Sequence, residues 1–364
     1  MFSLRKFSIR NFDWILFTAV FLLLVTGLAA IYSVDLSRGS ELFYFKKQLI
    51  AAGIGLFILF VASATQYTFF RATAKWWYVA AAVLLISVLI AGRVIRGTKG
   101  WFLIGGFSFQ PVEFAKIGLI LMLGHIISRF GRNFDRPLFF FGTGIITLGL
   151  IALVMMQPDL GSAVLLGMIW FGFMFLAGAR KLHMILLVAG VIALGVFSWF
   201  FLLQDYQKDR LAVFVDPQKD QFGAGYNVTQ SIIAVGAGKI FGRGLGFGSQ
   251  SQLRFLPEAQ TDFIFSVIGE ELGMAGLAVI LFLFGIIFWR LYALVINSND
   301  EFMASVASGA AILFFCQFFI NIGANLGLLP VTGVTLPFIS YGGSSLIMNL
   351  LLVGIVESMV GERY

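Results

Sequence analysis

Cysteine and histidine are nearly absent from this chain of 364 residues, which has one cysteine, Cys316, and two histidines, His125 and His183. A single cysteine excludes an intrachain disulfide and a cysteine metal cluster. Two histidines make a histidine metal site or a Ser-His-Asp triad a poor candidate. Any acid–base chemistry must therefore depend on carboxylates, lysines and arginines.

Charge is also scarce. Charged residues make up 12% of the chain and hydrophobic residues 59%, whereas soluble domains have about 25% charged and about 45–50% apolar residues. No soluble core can bury this much apolar surface, but a lipid bilayer can. The net charge of +7 then favours lipid phosphates and anionic substrates, rather than nucleic acid, as partners.

Apolar segments long enough to cross a bilayer recur along the chain. They predict an all-α fold class, a polytopic membrane protein with about ten transmembrane helices and residues 1–364 as a single domain. The apolar stretch after Arg5, Lys6 and Arg10 resembles a signal peptide, but we interpret it as the first span because many spans follow. The predicted spans are 14–33, 48–65, 76–91, 111–128, 138–156, 162–178, 183–203, 263–289, 302–326 and 343–359.

Loop charge predicts the orientation of these spans. With the N-terminus inside, the inner segments carry more Lys and Arg than the short outer loops do, so both termini are expected in the cytoplasm. The long outer segment 204–262 joins the seventh and eighth spans. Its length and apolar content indicate a functional loop rather than a disordered one. We expect a short interfacial helix from Tyr226 to Val235 within it, and the lack of an internal repeat weakens the interpretation as an inverted-repeat transporter.

The fourth span begins with two ionisable residues on one helix face. Glu113 and Lys116 are three residues apart, just after Pro111, which suits a first helical turn. Ionisable residues in a span are costly and usually face a polar cavity or each other. A functional pair and an internal salt bridge that holds helices together both remain open.

Further carboxylates lie at the entry to the eighth span. Asp262, which follows Gln260 and Thr261, is a candidate general base, although Asp also favours the N-cap of a helix. Glu270 and Glu271 lie about 12 Å further along the helix. For these two, a role in helix packing or in a polar network is as good an interpretation as catalysis.

Two polar turns and three arginines complete the candidates. The turn 337–345 ends in Ser344 and Ser345 at the start of the last span, where it either lines a cavity or caps the helix. We interpret the turn 157–162 as structural. Arg210, Arg243 and Arg254 are individually typical of solvated charges, but together with Lys116 they could hold a pyrophosphate.

Six motifs, in this order, resemble the SEDS family of bacterial cell-wall polymerases. They are QPVEFAK (110–116), QPDLGSA (157–163), GAGYNVTQS (223–231), FLPEAQTDFIF (255–265), GEELG (269–273) and PFISYGGSS (337–345). The resemblance covers about residues 10–360, and the segments 210–217 and 248–253 look most like the RodA branch, with FtsW and SpoVE as relatives. The chain departs from the family at Val112, where Ser is frequent, and at Gly100, where Arg is frequent before Trp.

The resemblance implies a peptidoglycan glycosyltransferase of the bacterial cytoplasmic membrane that polymerises lipid II for cell elongation and rod shape. It implies an inverting transfer in which undecaprenyl pyrophosphate leaves, with a divalent cation (Mg²⁺ or Mn²⁺) as a cofactor that Asp262 could bind. The implied partners are a class B penicillin-binding protein and other elongation-complex proteins, without nucleic acid. A lipid II flippase or transporter and a non-catalytic scaffold are the alternatives. The implied site has Asp262 as general base and, for substrate binding, Glu113, Lys116, Arg210, Arg243, Gln260, Thr261, Ser344 and Ser345.

Overall fold

Helices form most of the computed structural model, which describes residues 12–37, 39, 42–95, 97–130, 137–201, 208 and 223–360. Each of the ten predicted spans coincides with a helix, and the largest differences are that the third begins nine residues earlier and the eighth extends to Asn297. The helices in chain order are α1 (Trp14–Ser37), α2 (Phe43–Ser63), α3 (Tyr67–Ala91), α4 (Pro111–Phe130), α5 (Pro137–Met155), α6 (Leu160–Leu176), α7 (Lys181–Phe201), α8 (Ala224–Ala237), α9 (Ser249–Gln252), α10 (Ile264–Asn297), α11 (Glu301–Asn325) and α12 (Gly343–Val360).

The outer surface of the helix bundle is apolar. Large side chains such as Phe57, Trp76 and Ile90 are 69%, 72% and 78% exposed, which only a lipid environment makes favourable. Seven helices, α1–α4 and α10–α12, are long and apolar enough to cross a membrane, and α5, α6 and α7 contain shorter apolar stretches. The predicted fold class, a polytopic helical membrane protein, is confirmed, while the number of ten spans stays a prediction.

The last helix, α12, lies at the centre of the bundle. Every residue from Asn349 to Val360 is buried. The helix packs closely along α2 because two glycines leave room: Gly354 faces the backbone of Leu59, and Gly55 faces the side chain of Leu350. Small residues of this kind let membrane helices approach each other.

A small antiparallel sheet, which we did not predict, connects α3 to α4. Its strands are β1 (Arg93–Ile95), β2 (Thr98–Ile104) and β3 (Phe107–Phe109), in that order. Gly105 and Gly106 form the two-residue turn between β2 and β3, with φ of +58° and +83°. Only glycine adopts two such values readily, and a Gly-Gly pair between strand-forming residues is a hairpin signal.

The described part of the predicted outer segment, 223–262, packs on the N-terminal half of α10. Helix α8 confirms the helix expected from Tyr226 to Val235. The chain then approaches α10 so closely that a Cβ atom on Gly238 would lie 1.8 Å from the carbonyl oxygen of Gly269. Beyond this contact α10 bends at Gly273, whose φ of +67° interrupts the helix.

Glu270 and Glu271 hold the outer segment in place. The Glu270 carboxylate accepts hydrogen bonds from the backbone N–H groups of Gln250 (2.8 Å) and Ser251 (3.1 Å). The Glu271 carboxylate accepts them from the Ser33 hydroxyl of α1 and from Gly246 N. Of the interpretations given for these two glutamates, the structure supports the polar network.

Candidate active site

A cavity of about 750 Å³ lies under the small sheet, between α8 and the sheet-side ends of α4, α6, α11 and α12. Six of the nine predicted site residues line it: Glu113, Lys116, Thr261, Asp262, Ser344 and Ser345. Residues from distant parts of the chain therefore meet at one place, with the apolar helices below and the sheet above.

Glu113 and Lys116 form a buried ion pair in the cavity wall. The Lys116 ammonium lies 2.7 Å from Glu113 Oε2, and their side chains are only 2% and 9% exposed. Pro111 begins α4, so both side chains project from its first two turns. The structure thus contains the internal salt bridge of the second interpretation, and because the pair borders the cavity the functional interpretation stays a prediction.

The backbone of Asp262 is fixed by two asparagines of α11. Asn321 and Asn325 donate their side-chain N–H groups to the carbonyl oxygen of Asp262, at 3.1 and 2.8 Å. Asn325 also accepts the backbone N–H of Ser266 through Oδ1, at 3.2 Å. The same N–H also donates to the carbonyl oxygen of Phe263, the N-cap residue of α10, at 3.0 Å. Asp262 therefore precedes the helix cap.

The turn before α12 forms hydrogen bonds with the backbone of Gln260 and Thr261, the two residues that precede Asp262. The hydroxyl of Ser340 donates to the carbonyl oxygen of Thr261 (2.7 Å), and Tyr341 N donates to that of Gln260 (2.8 Å). Thr261 reaches the cavity, whereas Gln260 is buried and is not among the residues that line it. The motif 337–345 thus acts on the site partly through the backbone.

The two serines at the start of α12 are engaged with the neighbouring walls. The Ser344 hydroxyl donates to Ser108 O of the sheet (2.7 Å) and accepts Gln110 N (3.1 Å). The hydroxyls of Ser345 and Thr335 lie 3.0 Å apart. Ser344 therefore ties the sheet and the start of α4 to α12, whereas Ser345 ties α12 to the loop that precedes it.

The turn 157–162 has the structural role that we predicted. Asp159 caps α6 by accepting Ser162 N at 3.0 Å. Its other carboxylate oxygen accepts a side-chain N–H of Gln110 at 3.1 Å. Because Asp159 also lines the cavity, this cap adds a carboxylate to the wall.

The described cavity wall carries more negative than positive charge. Glu113, Asp159 and Asp262 are acidic, and Lys116 is the basic residue among the lining residues that the structure describes. Arg243 lies elsewhere, in the loop over α10, where Nη1 donates to the Ser249 hydroxyl at 2.7 Å. Arg254 does not line the cavity either and donates to Ser37 O at 3.4 Å. The last predicted cation, Arg210, lies with the segment 210–217 outside the described residues.

Three site residues escaped our sequence reasoning. Asn321, Asn325 and Gln317 lie four residues apart in α11, which places them on one face of the helix. The signal was the presence of neutral amides at this spacing in an otherwise apolar span, where polar side chains are expensive.

The sequence matches the cell cycle protein family FtsW/RodA/SpoVE over residues 12–364. Stage V sporulation protein E of Bacillus subtilis is 38% identical over 361 residues, which cover 97% of each chain. The probable peptidoglycan glycosyltransferase FtsW of Thiomicrospira cyclica is 36% identical over 96% of this chain and 92% of its own. The peptidoglycan glycosyltransferase MrdB of Escherichia coli is 36% identical over 94% and 91%.

Solved structures are similar over nearly the whole chain. A chain in a peptidoglycan synthase complex that coordinates polymerization and crosslinking has a TM-score of 0.82 and 31% identity, with 97% of this chain and 98% of that chain covered. The rod shape determining protein RodA of Thermus thermophilus has a TM-score of 0.73 and 29% identity over the same shares of the two chains.

Proposed function

We infer the function from one premise, which is that the chain belongs to the cell cycle protein family FtsW/RodA/SpoVE. We propose that it is a peptidoglycan glycosyltransferase of the bacterial cytoplasmic membrane and that it polymerises lipid II into glycan strands. One observation carries this proposal: the cavity joins Asp262 to a buried Lys116–Glu113 pair at the outer end of an apolar bundle. A substrate with a sugar, a pyrophosphate and a lipid needs these three environments in this order.

In the proposed reaction, Asp262 is the general base. Its carboxylate takes the proton of the acceptor 4-hydroxyl, and the oxygen forms a bond to C1 of the donor sugar from the face opposite the pyrophosphate. The bond from C1 to the pyrophosphate oxygen breaks, and its electron pair leaves with undecaprenyl pyrophosphate. The configuration at C1 is therefore inverted. Asn321 and Asn325 support this role because they fix the backbone that carries the carboxylate.

Lys116 would stabilise the leaving pyrophosphate. One of its N–H groups is directed to Glu113, at 2.7 Å, so Glu113 orients the ammonium while its other N–H groups serve the substrate. This arrangement is a charge-assisted contact aimed at the place where negative charge develops.

The charge of the described wall favours an additional cation. Three carboxylates and one ammonium do not suffice for a pyrophosphate, so either Arg210 or a divalent ion would supply positive charge. The described residues contain no cluster of three metal-ligating side chains. Mg²⁺ often binds through one or two carboxylates and substrate phosphates, so Asp262, which lines the cavity, would hold the ion in this proposal.

A role in elongation, with a class B penicillin-binding protein as partner, is part of the same proposal. It is supported by the RodA-like segments of the sequence and by the likeness to a chain in a peptidoglycan synthase complex. Stage V sporulation protein E, FtsW and MrdB are similar to this chain at nearly equal identity, so the branch is inferred from the motifs.

Purified chain mixed with lipid II, with and without a cognate class B partner, tests the function directly. We expect glycan chains on a gel, more of them with the partner, and none with Asp262→Asn. A flippase would instead move lipid II across vesicle membranes without joining it, and a scaffold would do neither. Absence of glycan from the wild-type complex, with lipid II intact, would overturn the proposal.

A further inference from the structure

Gln317 of α11 is a buried amide that the protein itself leaves unpaired. Its side chain is 1% exposed and borders the cavity. Neither Nε2 nor Oε1 has a hydrogen-bond partner in the described part of the chain. Nearly all buried polar groups in proteins have such a partner, so an unpaired amide in a cavity wall indicates that a ligand provides it.

The packing of α11 against α4 gives the depth of Gln317. The two helices run antiparallel, since Gly124 faces Val306 and Gly309 faces Ile120. Continuing this register places Gln317 at the level of Glu113, next to the buried ion pair. It is also one helical turn from Asn321, which holds the Asp262 carbonyl.

The chemistry of the amide restricts the ligand group. Gln317 offers two donors and one acceptor, whereas a pyrophosphate offers acceptors alone and would leave Oε1 unpaired. An acetamido group offers both an N–H and a carbonyl oxygen, which match the Gln317 side chain. In a donor amino sugar this group is on the carbon next to C1, which carries the pyrophosphate.

We propose that Gln317 binds the acetamido group of the donor sugar and so selects an N-acetylated amino sugar for transfer. This inference rests on the proposed function and names a substrate contact within the same site. With Lys116 on the pyrophosphate and Gln317 on the neighbouring acetamido group, facing helices position C1 between them. Asn321 and Asn325 differ from Gln317 because their amides are occupied by the protein.

Gln317→Met in the full chain with its partner tests the contact. The variant keeps the side-chain length and removes the unpaired amide, so thermal stability should not fall. The KM for lipid II should rise about tenfold, the equivalent of about 1.4 kcal/mol, while binding of undecaprenyl pyrophosphate, which has no sugar, should be unchanged.

Gln48→Met is the matched control. Gln48 is equally buried, at 1% exposed, but it donates to Ser340 O and accepts Gly342 N, both at 3.1 Å. Its replacement should lower the thermal stability, since two buried backbone groups lose their partner.

Three results would overturn the assignment. If Gln317→Met is destabilised like Gln48→Met and binds lipid II normally, the amide is structural. If lipid II and undecaprenyl pyrophosphate are weakened equally, the contact is not with the sugar. If the wild-type complex does not bind lipid II, both this inference and the proposed function fail. If it binds lipid II but does not polymerise it, the proposed function alone fails. The binding of lipid II by Gln317→Met then decides the acetamido contact.

Discussion

Asp262 is held through its carbonyl oxygen, and these contacts stay in place when the side chain is changed. The two asparagine donors and the Ser340–Thr261 bond all act on main-chain atoms. A substitution that keeps the shape of the side chain therefore separates chemistry from structure.

Asp262→Asn should abolish glycan polymerisation while the protein still folds and reaches the membrane. An amide cannot take a proton, and loss of a general base costs about 10²–10⁴ in rate. Glycan synthesis on a gel measures the loss, and the melting temperature in detergent checks the fold. Near-normal activity would show that the carboxylate is not the base.

Glu113 and Lys116 should behave as a coupled pair. Removal of one partner leaves an unpaired buried charge, which typically costs about 3–5 kcal/mol. Glu113→Gln and Lys116→Met should each lower stability and activity, and the double variant should lose less stability than the sum of the two. A double-mutant cycle on melting temperature and rate gives the coupling, and additive losses would mean that the 2.7 Å contact contributes nothing.

Ionisable residues could be predicted as candidate site residues because a charge inside an apolar segment is energetically costly and usually has a functional or structural role. Asn321, Asn325 and Gln317 were missed because neutral amides disturb the apolar pattern less. Arg243 could not be placed from its charge, since the path of the loop over Glu270 decides its position. Whether the six lining residues bind substrate remains a prediction.

At the scale of elements, the helices were predictable because apolar runs of this length have few alternatives in a membrane. The sheet between α3 and α4 was missed because we treated its short outer stretch as a loop. The bend of α10 at Gly273 was also missed, because it depends on contact with the outer segment. The apolar periodicity of a sequence indicates which face of one helix is buried. It contains little information about contacts between a helix and a distant loop.

The packing of α8 and its C-cap against α10 can be tested with substitutions at two glycines of the same segment. Gly238→Ala would place a Cβ 1.8 Å from Gly269 O, whereas a Cβ on Gly236 would meet nothing within 4 Å. Gly238→Ala should therefore lower the melting temperature and expose the segment 223–255 to protease. Gly236→Ala should keep or raise stability by up to about 1 kcal/mol, because alanine favours the helix. Equal effects of the two substitutions would contradict the close contact.

At the scale of the whole molecule, the helix bundle has two membrane faces, and its expected orientation can be tested directly. Cys316 is the single cysteine of the sequence, so a Cys316→Ala background has no thiol. Val94 of the sheet and Asn299, between α10 and α11, are both exposed and are predicted to lie on opposite sides of the membrane. In intact cells an impermeant maleimide should label Val94→Cys and not Asn299→Cys, and both should react after lysis. The reverse pattern would invert the predicted topology.

The central place of α12 has a consequence for the biosynthesis of the protein. A ribosome makes α12 after all the other described helices, although this helix fills the middle of the bundle. The earlier helices are therefore inserted in the bilayer before they are fully packed, because α2 and α4 lack their central neighbour until translation of α12 is complete. The walls around Asp262 close only at that moment, so a nascent chain has no complete cavity and each molecule becomes competent in one final step of assembly.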